Sequence, residues 1–287
     1  MRTFAKIAAK TGAGAGARAV LAACALAMAV AVAPAALADG AKDLARFKAT
    51  GDCPKCDLRR ADLKDLKFEK ANLERASLRD IDAKGIVLTS ANLAGADMRR
   101  ADMETADLSG ANLSKANMAG VDLEKAVAAG ADFSRVDLSE ADMEKADVHG
   151  ANLSGASLVN VLAKRSNFAG ADLSGADLSR IRLERSDLSG ANLHGAVMKH
   201  ADLERANLAG VNLSGADLSG GRLTRANLAG ARLDDTNLAD TLLRLTDFSG
   251  ADLSDAVGLV QDMLDIACGD AATKVPSGLN PPPACSQ

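Results

Sequence analysis

Four cysteines near the two ends of the repetitive region are the clearest candidates for chemistry in this sequence. Cys53 and Cys56 form a C-x-x-C motif, and Cys268 and Cys285 lie close to the C-terminus. A C-x-x-C motif is typical of thiol–disulfide oxidoreductases, but there it accompanies a βαβ unit that this sequence lacks. In an oxidising compartment we therefore expect two structural disulfides, Cys53–Cys56 and Cys268–Cys285. A redox-active Cys53–Cys56 pair is the alternative.

Other residue types give no sign of a reaction centre. His149, His194 and His200 are the only histidines, and they fall on three different sides of the coil described below. The many serines recur regularly without an adjacent base, and no glycine-rich phosphate loop is present. We therefore predict no catalytic, metal or cofactor site and no enzymatic activity.

The first 38 residues differ from the rest in composition. All their charged residues are basic, an Ala/Val/Leu run covers 19–32, and Ala36-Leu37-Ala38 forms a small-residue cleavage motif. This order is typical of a secretory signal peptide, cleaved between Ala38 and Asp39. We therefore predict export to the bacterial periplasm or the extracellular space, with no membrane span after cleavage. An uncleaved N-terminal anchor is the alternative.

Composition argues against an ordinary globular core. The chain has no Trp or Tyr and only six Phe among its 287 residues. Aromatic side chains normally fill irregular interiors, so this chain must bury small, regularly spaced residues instead. Without residues 1–38 the formal net charge is −8, which gives no electrostatic basis for binding nucleic acid.

Internal repetition dominates the rest of the sequence. From Leu58 to Leu253 every fifth residue is apolar, most often Leu, over 40 consecutive positions. A small residue lies two positions earlier and Asp or Asn lies between them, as in Ala111-Asn112-Leu113. A period of five matches neither the 3.6-residue period of a helix nor the two-residue period of a strand. It predicts a short extended segment and a corner in every repeat.

The pattern A-(D/N)-L-x-x resembles that of the pentapeptide-repeat family, over about residues 56–255. The resemblance implies an all-β solenoid, a right-handed quadrilateral β-helix. In that fold four repeats form one square coil of 20 residues, with Leu or Phe and Ala pointing inward. The run of repeats then implies about ten coils, or a rod of about 48 Å at a strand spacing of about 4.8 Å.

A second period, of 20 residues, supports the square coil. On one side of the coil the last position of the repeat is glycine without interruption from Gly110 to Gly250. On another side the same position is basic from Lys125 to Arg225. A five-residue period alone would not separate glycine from arginine in this way.

The chain divides into four predicted segments. These are a signal peptide (1–38), an N-terminal cap (39–55), the repeats (56–255), and a C-terminal helix with a Pro-rich tail (256–287). An open β-helix exposes unpaired backbone at its ends, which caps would cover. We expect short helices over 41–49 and from Ser254 through Ala267. A homodimer through the caps is compatible with this organisation.

One side of the predicted coil is strongly charged, the side centred on every twentieth residue from Leu63 to Leu243. Its N-terminal half is mainly acidic and its C-terminal half mainly basic. The candidate interaction face comprises Asp102, Glu104, Asp122, Glu124, Asp142, Glu144, Arg165, Arg182, Arg185, Arg205, Arg222 and Arg225. Arg is suited to bidentate binding of carboxylate or phosphate, and a row of carboxylates could hold Ca²⁺ weakly. The alternative is a solvated face that keeps a β-rod soluble.

Together these features favour a non-catalytic, exported structural or protein-interaction solenoid with a protein partner. Two alternatives stay open. Some pentapeptide-repeat proteins mimic DNA and bind DNA gyrase, so the resemblance also implies a gyrase-binding function. The export signal and the basic band depart from the strongly negative cytoplasmic rod of those members. The second alternative is a C-x-x-C thiol-redox protein.

Overall fold

The computed structural model describes residues 34–285, with side chains from Gly40 onward. Most of the predicted signal peptide therefore lies outside the described residues. The two helices are α1 (Pro34–Thr50) and α2 (Gln261–Asp265). Between them each repeat contributes one bridge residue and one two-residue turn. Extended backbone is this short because a turn follows every central apolar residue, and Ser, Gly or a charged residue occupies almost all of these turns.

Parallel bridges join each repeat to the repeat 20 residues further along the chain. Bridges in this register run from Asp52 to Val257. The Leu113 N–H, for example, donates to the carbonyl oxygen of Asp132 at 2.7 Å. Backbone donors and acceptors are therefore satisfied between neighbouring coils, and four repeats form the four sides of one coil.

The core consists of the two inward positions of each repeat. Every central residue from Leu73 to Leu253 is at most 2 % exposed, and almost all residues two positions earlier are buried as well. Each coil adds one thin layer of similar side chains, so the interior needs few aromatic residues to fill it.

Asp or Asn between the two inward positions points outward and holds the corner. Its side chain accepts the N–H two residues later, as Asn112 Oδ1 does from Ser114 at 3.0 Å. Asn also donates to the preceding coil, as Asn152 Nδ2 does to Asp132 Oδ1 at 3.0 Å. Asp and Asn suit this position because their short side chains bond the backbone of their own turn.

The repeats begin earlier than the predicted boundary at residue 56. Asp52 already pairs with Asn72, and Cys53 is fully buried at a central inward position. The prediction missed this repeat because a cysteine stands where the pattern has Leu, although cysteine behaves as a small apolar residue. Helix α1 is also longer than the 41–49 segment expected, and the ring of Phe47 packs 4.7 Å from that of Phe68.

The predicted C-terminal helix is wrong in its extent. Ser254 belongs to the last repeat, where its N–H donates to Asp252 Oδ1 at 3.1 Å, and it does not cap a helix. Helix α2 covers five residues, Gln261–Asp265, and has no side-chain cap at Val260. Backbone pairing with the preceding coil extends through Val257 and takes precedence over helix propensity there.

The tail continues the coil with an irregular register. Cys268 pairs with Asp247 and Lys274 pairs with Asp252, and both bridges are parallel. Lys274 Nζ also lies 2.7 Å from Asp252 Oδ2, and this ammonium lowers the pKa of Asp252 to about 2. The last coil is therefore covered by extended chain more than by helix. Among residues 34–285, no helix is both long and apolar enough to cross a membrane.

Candidate functional site

The side of the coil centred on every twentieth residue from Leu63 to Leu243 is here called the charged face. Its central residues are buried, so only the positions beside them reach solvent. Bridges stack one outward position along the whole face, in the order Asp62, Asp82, Asp102, Asp122, Asp142, Leu162, Arg182, Asp202, Arg222 and Leu242. The face therefore presents an acidic and a mainly basic half, in that order along the chain.

In the acidic half, lysines bridge the glutamates of neighbouring coils. Lys125 Nζ lies 3.0 Å from Glu104 Oε1 and 3.1 Å from Glu124 Oε1. Lys145 Nζ lies 3.1 Å from Glu124 Oε1. Lys125 is the largest cause of a lowered pKa at both Glu104 and Glu124. These glutamates are therefore compensated from within the face.

The basic half is compensated less evenly. Lys164 and Arg182 contact Glu184 Oε1 at 3.0 and 3.1 Å. Burial raises the pKa of Glu184, but hydrogen bonds from Lys164, from a backbone N–H and from Arg182 together outweigh it, and the net pKa is lowered. Arg222 Nη1 lies 3.4 Å from Glu204 Oε2. Glu184 and Glu204 are thus each shared by two cations, while other cations of this half have no carboxylate partner within the described residues.

One position of the charged face is basic in six consecutive coils, and we call it the cation column. It consists of Lys125, Lys145, Arg165, Arg185, Arg205 and Arg225. The lysines form the ion pairs above, and Arg205 Nε lies 3.7 Å from Glu204. Arg165, Arg185 and Arg225 have no ion pair or side-chain hydrogen bond to any residue that the structure describes. Unpaired guanidinium groups therefore follow one edge of the solenoid, with about 4.8 Å between neighbouring coils.

The acidic and basic halves meet at a surface cleft of about 440 Å³. Its lining consists of Glu144, Lys145, Lys164, Arg165, Glu184 and Arg185. The carboxylate of Glu144 has no ion pair within the described residues, and Glu184 Oε2 is buried without a hydrogen-bond partner. The cleft thus combines the free cations Arg165 and Arg185 with the unpaired carboxylate of Glu144, an arrangement that suits charged groups of another molecule.

The cation column has the same left-handed backbone as the last position of all repeats from Lys55 to Gly250. Arg165, Arg185 and Arg225 have φ values of 58°, 62° and 60°, in the left-handed region that costs residues with a Cβ about 1–2 kcal/mol. On the next side of the coil the same position is glycine from Gly110 to Gly250. The fold therefore accepts glycine here, and these arginines oppose stability without any compensating contact among the described residues.

All twelve residues of the predicted interaction face lie on this one side, but they do not form a single site. Asp102 and Arg225 are six coils apart, or about 29 Å. The structure brings together Glu144, Arg165 and Arg185 at the junction of the two halves. It adds Lys145, Lys164 and Glu184, which the predicted set omits. The only sequence signal for them is the change of charge at 20-residue spacing.

The acidic half offers a stability prediction at Asp122, which is stacked between Asp102 and Asp142. Burial, and then these neighbours, raise the pKa of Asp122. An Asp122→Asn variant keeps the oxygen that accepts the Glu124 N–H at 2.9 Å and gains an amide that can donate to Asp102. We expect stabilisation of about 0.5–1.5 kcal/mol at pH 7, measured by urea unfolding.

The pH dependence of this effect has a definite sign. A raised pKa means that the folded state favours protonated Asp122. The contribution of Asp122 to the free energy of unfolding is therefore most favourable at low pH, and it is lost as pH rises above 3.8 towards the raised pKa. The advantage of Asn should therefore shrink near pH 3. Asp217→Asn is the matched control: burial raises the pKa of Asp217, but Ser219 and Lys199 outweigh it and the net pKa is lowered. That variant should be destabilised at pH 7, and equal effects of the two variants would contradict the assignment.

Both ends of the solenoid carry a disulfide. Cys53 is bonded to Cys56 and Cys268 to Cys285, with Cα–Cα distances of 5.4 and 4.8 Å. These are the pairs expected from the sequence. Each lies beside a carboxylate, Asp43 at the first and Asp247 at the second, as described further below.

The described residues contain two groups of three His, Cys, Asp or Glu side chains close enough to share a metal ion, and each includes one of the disulfides. Cysteine binds metals as a thiolate, so the oxidised pairs are unsuited to that role. His149 Nδ1 lies 2.8 Å from Asp147 Oδ1 at the surface, while His194 and His200 lie on other sides of the coil. The described residues therefore hold no cluster that resembles a catalytic centre.

Comparison with known proteins agrees with this architecture. The family model for pentapeptide repeats matches eight copies, over residues 52–80, 86–124, 116–155, 146–185, 186–225 and 222–257. HetL, a pentapeptide repeat protein involved in heterocyst differentiation regulation from the cyanobacterium Nostoc sp. strain PCC 7120, is 30 % identical. That match covers 75 % of this chain and 94 % of HetL, with a TM-score of 0.53.

Two further solved structures are similar in sequence pattern but superpose less well. A pentapeptide repeat protein of the Arabidopsis thaliana thylakoid lumen is 33 % identical, covering 37 % of this chain and 79 % of that one, with a TM-score of 0.29. QnrB1, a plasmid-mediated fluoroquinolone resistance protein, is 21 % identical, covering 60 % and 90 %, with a TM-score of 0.33. No curated protein matches. The family match over most of the repeats identifies the chain as a member of the pentapeptide-repeat family, whose fold is the right-handed quadrilateral β-helix.

Proposed function

We propose that this chain is an exported, non-catalytic protein-interaction solenoid of about ten coils with covered ends, whose partner binds at the cation column. Pentapeptide repeat proteins are in general structural or interaction proteins. The observation that carries the proposal is the set of unpaired arginines Arg165, Arg185 and Arg225. They belong to a repeat position that is basic in six consecutive coils, whereas the same position on the neighbouring side of the coil is glycine.

The chemistry of the column indicates the kind of partner. A guanidinium group binds a carboxylate through two parallel hydrogen bonds, and a rigid row of them fits an acidic protein surface better than isolated cations do. Four of the five glutamates of this face are already paired with Lys125, Lys164, Arg182 or Arg222, and within the described residues Glu144 alone is left without an ion pair. Carboxylates from a partner are therefore the natural counter-ions of the free arginines, and binding should weaken as salt increases.

The gyrase-binding alternative fits this surface less well. A protein that mimics DNA needs a mainly negative surface along its length, whereas the cation column is positive in six consecutive coils. The partner that suits this column is therefore an acidic protein.

Export is the second part of the proposal, and it rests on the composition of residues 1–38. When the full chain is produced in a bacterial host, we expect the protein in the periplasmic fraction with Asp39 as its first residue. Mass spectrometry of that fraction identifies the N-terminus. Intact protein confined to the cytoplasm would contradict export but would leave the interaction proposal standing.

Replacing three arginines of the column with glycine should remove binding without harming the fold. The variant carries Arg165→Gly, Arg185→Gly and Arg225→Gly. It loses three free cations and relieves three strained residues, so its melting temperature should stay the same or rise. Two readouts measure binding: the amount of protein from the exported fraction that cross-links to this chain, and the amount of poly-L-glutamate, a defined acidic probe, that it retains. We expect both to fall at least tenfold in the variant.

A matched control tests whether binding depends on the cation column itself or only on the net positive charge that is lost. Lys115, Arg135 and Arg180 lie on other sides of the coil, at the same repeat position, with φ values of 58°, 55° and 59°. They too form no ion pair within the described residues. Their triple replacement by glycine changes the net charge equally and should leave binding unchanged. Equal losses in both variants, or none in either, would rule out the column as the docking site.

A further inference from the structure

We propose that Cys53–Cys56 is a thiol–disulfide exchange site, whereas Cys268–Cys285 is a structural bridge that resists reduction. The two disulfides lie at opposite ends of the same solenoid, and the charges beside them are of opposite sign. A thiol reductant should therefore open the first bridge under conditions that leave the second intact.

A guanidinium group lies directly on the N-terminal bridge. Arg46 Nη2 is 2.5 Å from Cys56 Sγ and 3.3 Å from Cys53 Sγ, and Arg46 Nε is 3.4 Å from Cys53 Sγ. Arg46 belongs to α1, the helix beside the first coil. After reduction a thiolate at either sulfur would face this cation, which favours the thiolate and so makes the disulfide easier to reduce.

One carboxylate near this bridge opposes the effect of Arg46. An oxygen of Asp43 lies within 4.8 Å of both sulfurs. Asp43 Oδ2 accepts the Asp57 N–H at 2.9 Å, and Asp43 Oδ1 lies 3.6 Å from Arg46 Nη2. Its charge is therefore partly neutralised by other partners, while the guanidinium group touches the sulfurs directly. The nearer charge is positive, and it determines the direction of the effect.

The C-terminal bridge has the opposite surroundings. Asp247 Oδ1 lies 3.2 Å from Cys285 Sγ, and Ser249 Oγ lies 3.8 Å from the same sulfur. No Lys, Arg or His side chain within residues 40–285 has a hydrogen bond to either sulfur of this pair. A carboxylate so close disfavours a thiolate, so reduction of this bridge is less favourable.

Loop length adds to the difference in charge. The cysteines are 3 residues apart at the N-terminal bridge and 17 at the C-terminal bridge. A bridge that closes a longer loop stabilises the folded state more, and by linkage the folded state then protects that bridge more strongly. Both effects make Cys53–Cys56 the more easily reduced pair.

The exchange reaction needs only a thiol reductant. A reductant thiolate attacks one sulfur of the bridge, forms a mixed disulfide and releases the other cysteine as a thiolate beside Arg46. A second reductant thiolate attacks the mixed disulfide, so two reductant thiols become one disulfide and their protons pass to Cys53 and Cys56. These cysteines are 0 % and 2 % exposed, so α1 must move for the attack to occur. Burial therefore slows the exchange, and an equilibrium measurement avoids this kinetic barrier.

Equilibrium titration with glutathione tests the proposal. The full chain is equilibrated without oxygen in buffers of graded reduced-to-oxidised glutathione ratio, free thiols are trapped by alkylation, and each cysteine peptide is quantified by mass spectrometry. We expect the equilibrium constant for opening Cys53–Cys56 to exceed that for Cys268–Cys285 at least tenfold, or by about 30 mV. Equal midpoints, or opening of both bridges only on global unfolding, would overturn the proposal.

Variants of Arg46 connect this difference to its cause. Arg46→Leu should make Cys53–Cys56 at least tenfold harder to reduce and leave Cys268–Cys285 unchanged as an internal reference. Arg46→Lys keeps the positive charge, so the reduction midpoint of Cys53–Cys56 should lie between those of the unchanged chain and Arg46→Leu. A purely structural role of Arg46 in packing would not predict this intermediate midpoint. Asp247→Asn should make only the C-terminal bridge easier to reduce. Circular dichroism checks that each variant is folded, and an unshifted Arg46→Leu midpoint would contradict the assigned role.

Discussion

Replacing Leu113 with Asp is expected to unfold the central coils of the solenoid. Leu113 is fully buried, and the register stacks it between the central residues Leu93 and Phe133. Its truncation to Ala should already cost about 2–5 kcal/mol. A carboxylate there adds the cost of burying an unpaired charge, so the total loss should exceed about 5 kcal/mol. The consequence extends along the rod because each coil is held only by its two neighbours.

The measurement combines urea unfolding with hydrogen exchange of the coils around residue 113. We expect the unfolding midpoint to collapse and amide protection to be lost first in the central coils. Asn112→Asp is the matched control, because it places the same carboxylate one residue away at an exposed position where Oδ1 accepts the Ser114 N–H at 3.0 Å. If Leu113→Asp and Asn112→Asp had similar stabilities, the inward assignment would be wrong.

Adding a single methyl group at Gly258 should be nearly as disruptive locally. Gly258 has φ of 80°, and it marks the point where the chain leaves the regular register. A Cβ there would lie 2.5 Å from the nitrogen and 2.6 Å from the Cα of Ala239. The backbone around Ala239 is fixed by the hydrogen bond from Leu238 N to Val257 O at 2.9 Å. The clash and the left-handed strain together should cost Gly258→Ala about 2–5 kcal/mol.

Gly130 provides the comparison that isolates the clash. Its φ is 63°, but a Cβ added there meets no atom within 4 Å. Gly130→Ala should therefore cost only the left-handed strain of about 1–2 kcal/mol. Thermal unfolding of both variants gives the difference, and local proteolysis after residue 257 reports detachment of the C-terminal tail. Equal stability losses would mean that the close approach at Ala239 has no energetic weight.

Much of the fold could be predicted because each repeat meets nearly the same surroundings. The five-residue period alone identifies Leu113 as inward and Asn112 as outward, and the structure confirms both positions. The assignment to the pentapeptide-repeat family is likewise confirmed. Prediction was weakest where repetition stops. The helix expected from Ser254 through Ala267 is reduced to Gln261–Asp265, since pairing with the previous coil competes with helix formation.

The charged face illustrates a different limit. The sequence places Lys125 and Arg165 at the same repeat position on the same side, which makes them look equivalent. In the structure Lys125 bridges Glu104 and Glu124, whereas Arg165 is free of any such partner within residues 40–285. Pairing depends on where long, flexible side chains end in space, and that is set by several neighbours at once rather than by a single period.

The cysteine pairs mark the division between sequence and tertiary structure. The sequence by itself determined which cysteines lie near one another, because the pairs are separated by a solenoid far longer than a disulfide. Only the tertiary structure decided that Arg46 contacts both sulfurs of one pair while Asp247 lies beside the other. The repeating pattern fixes backbone register through contacts that recur in every coil. The chemistry at its ends depends on single, aperiodic contacts, which no period encodes.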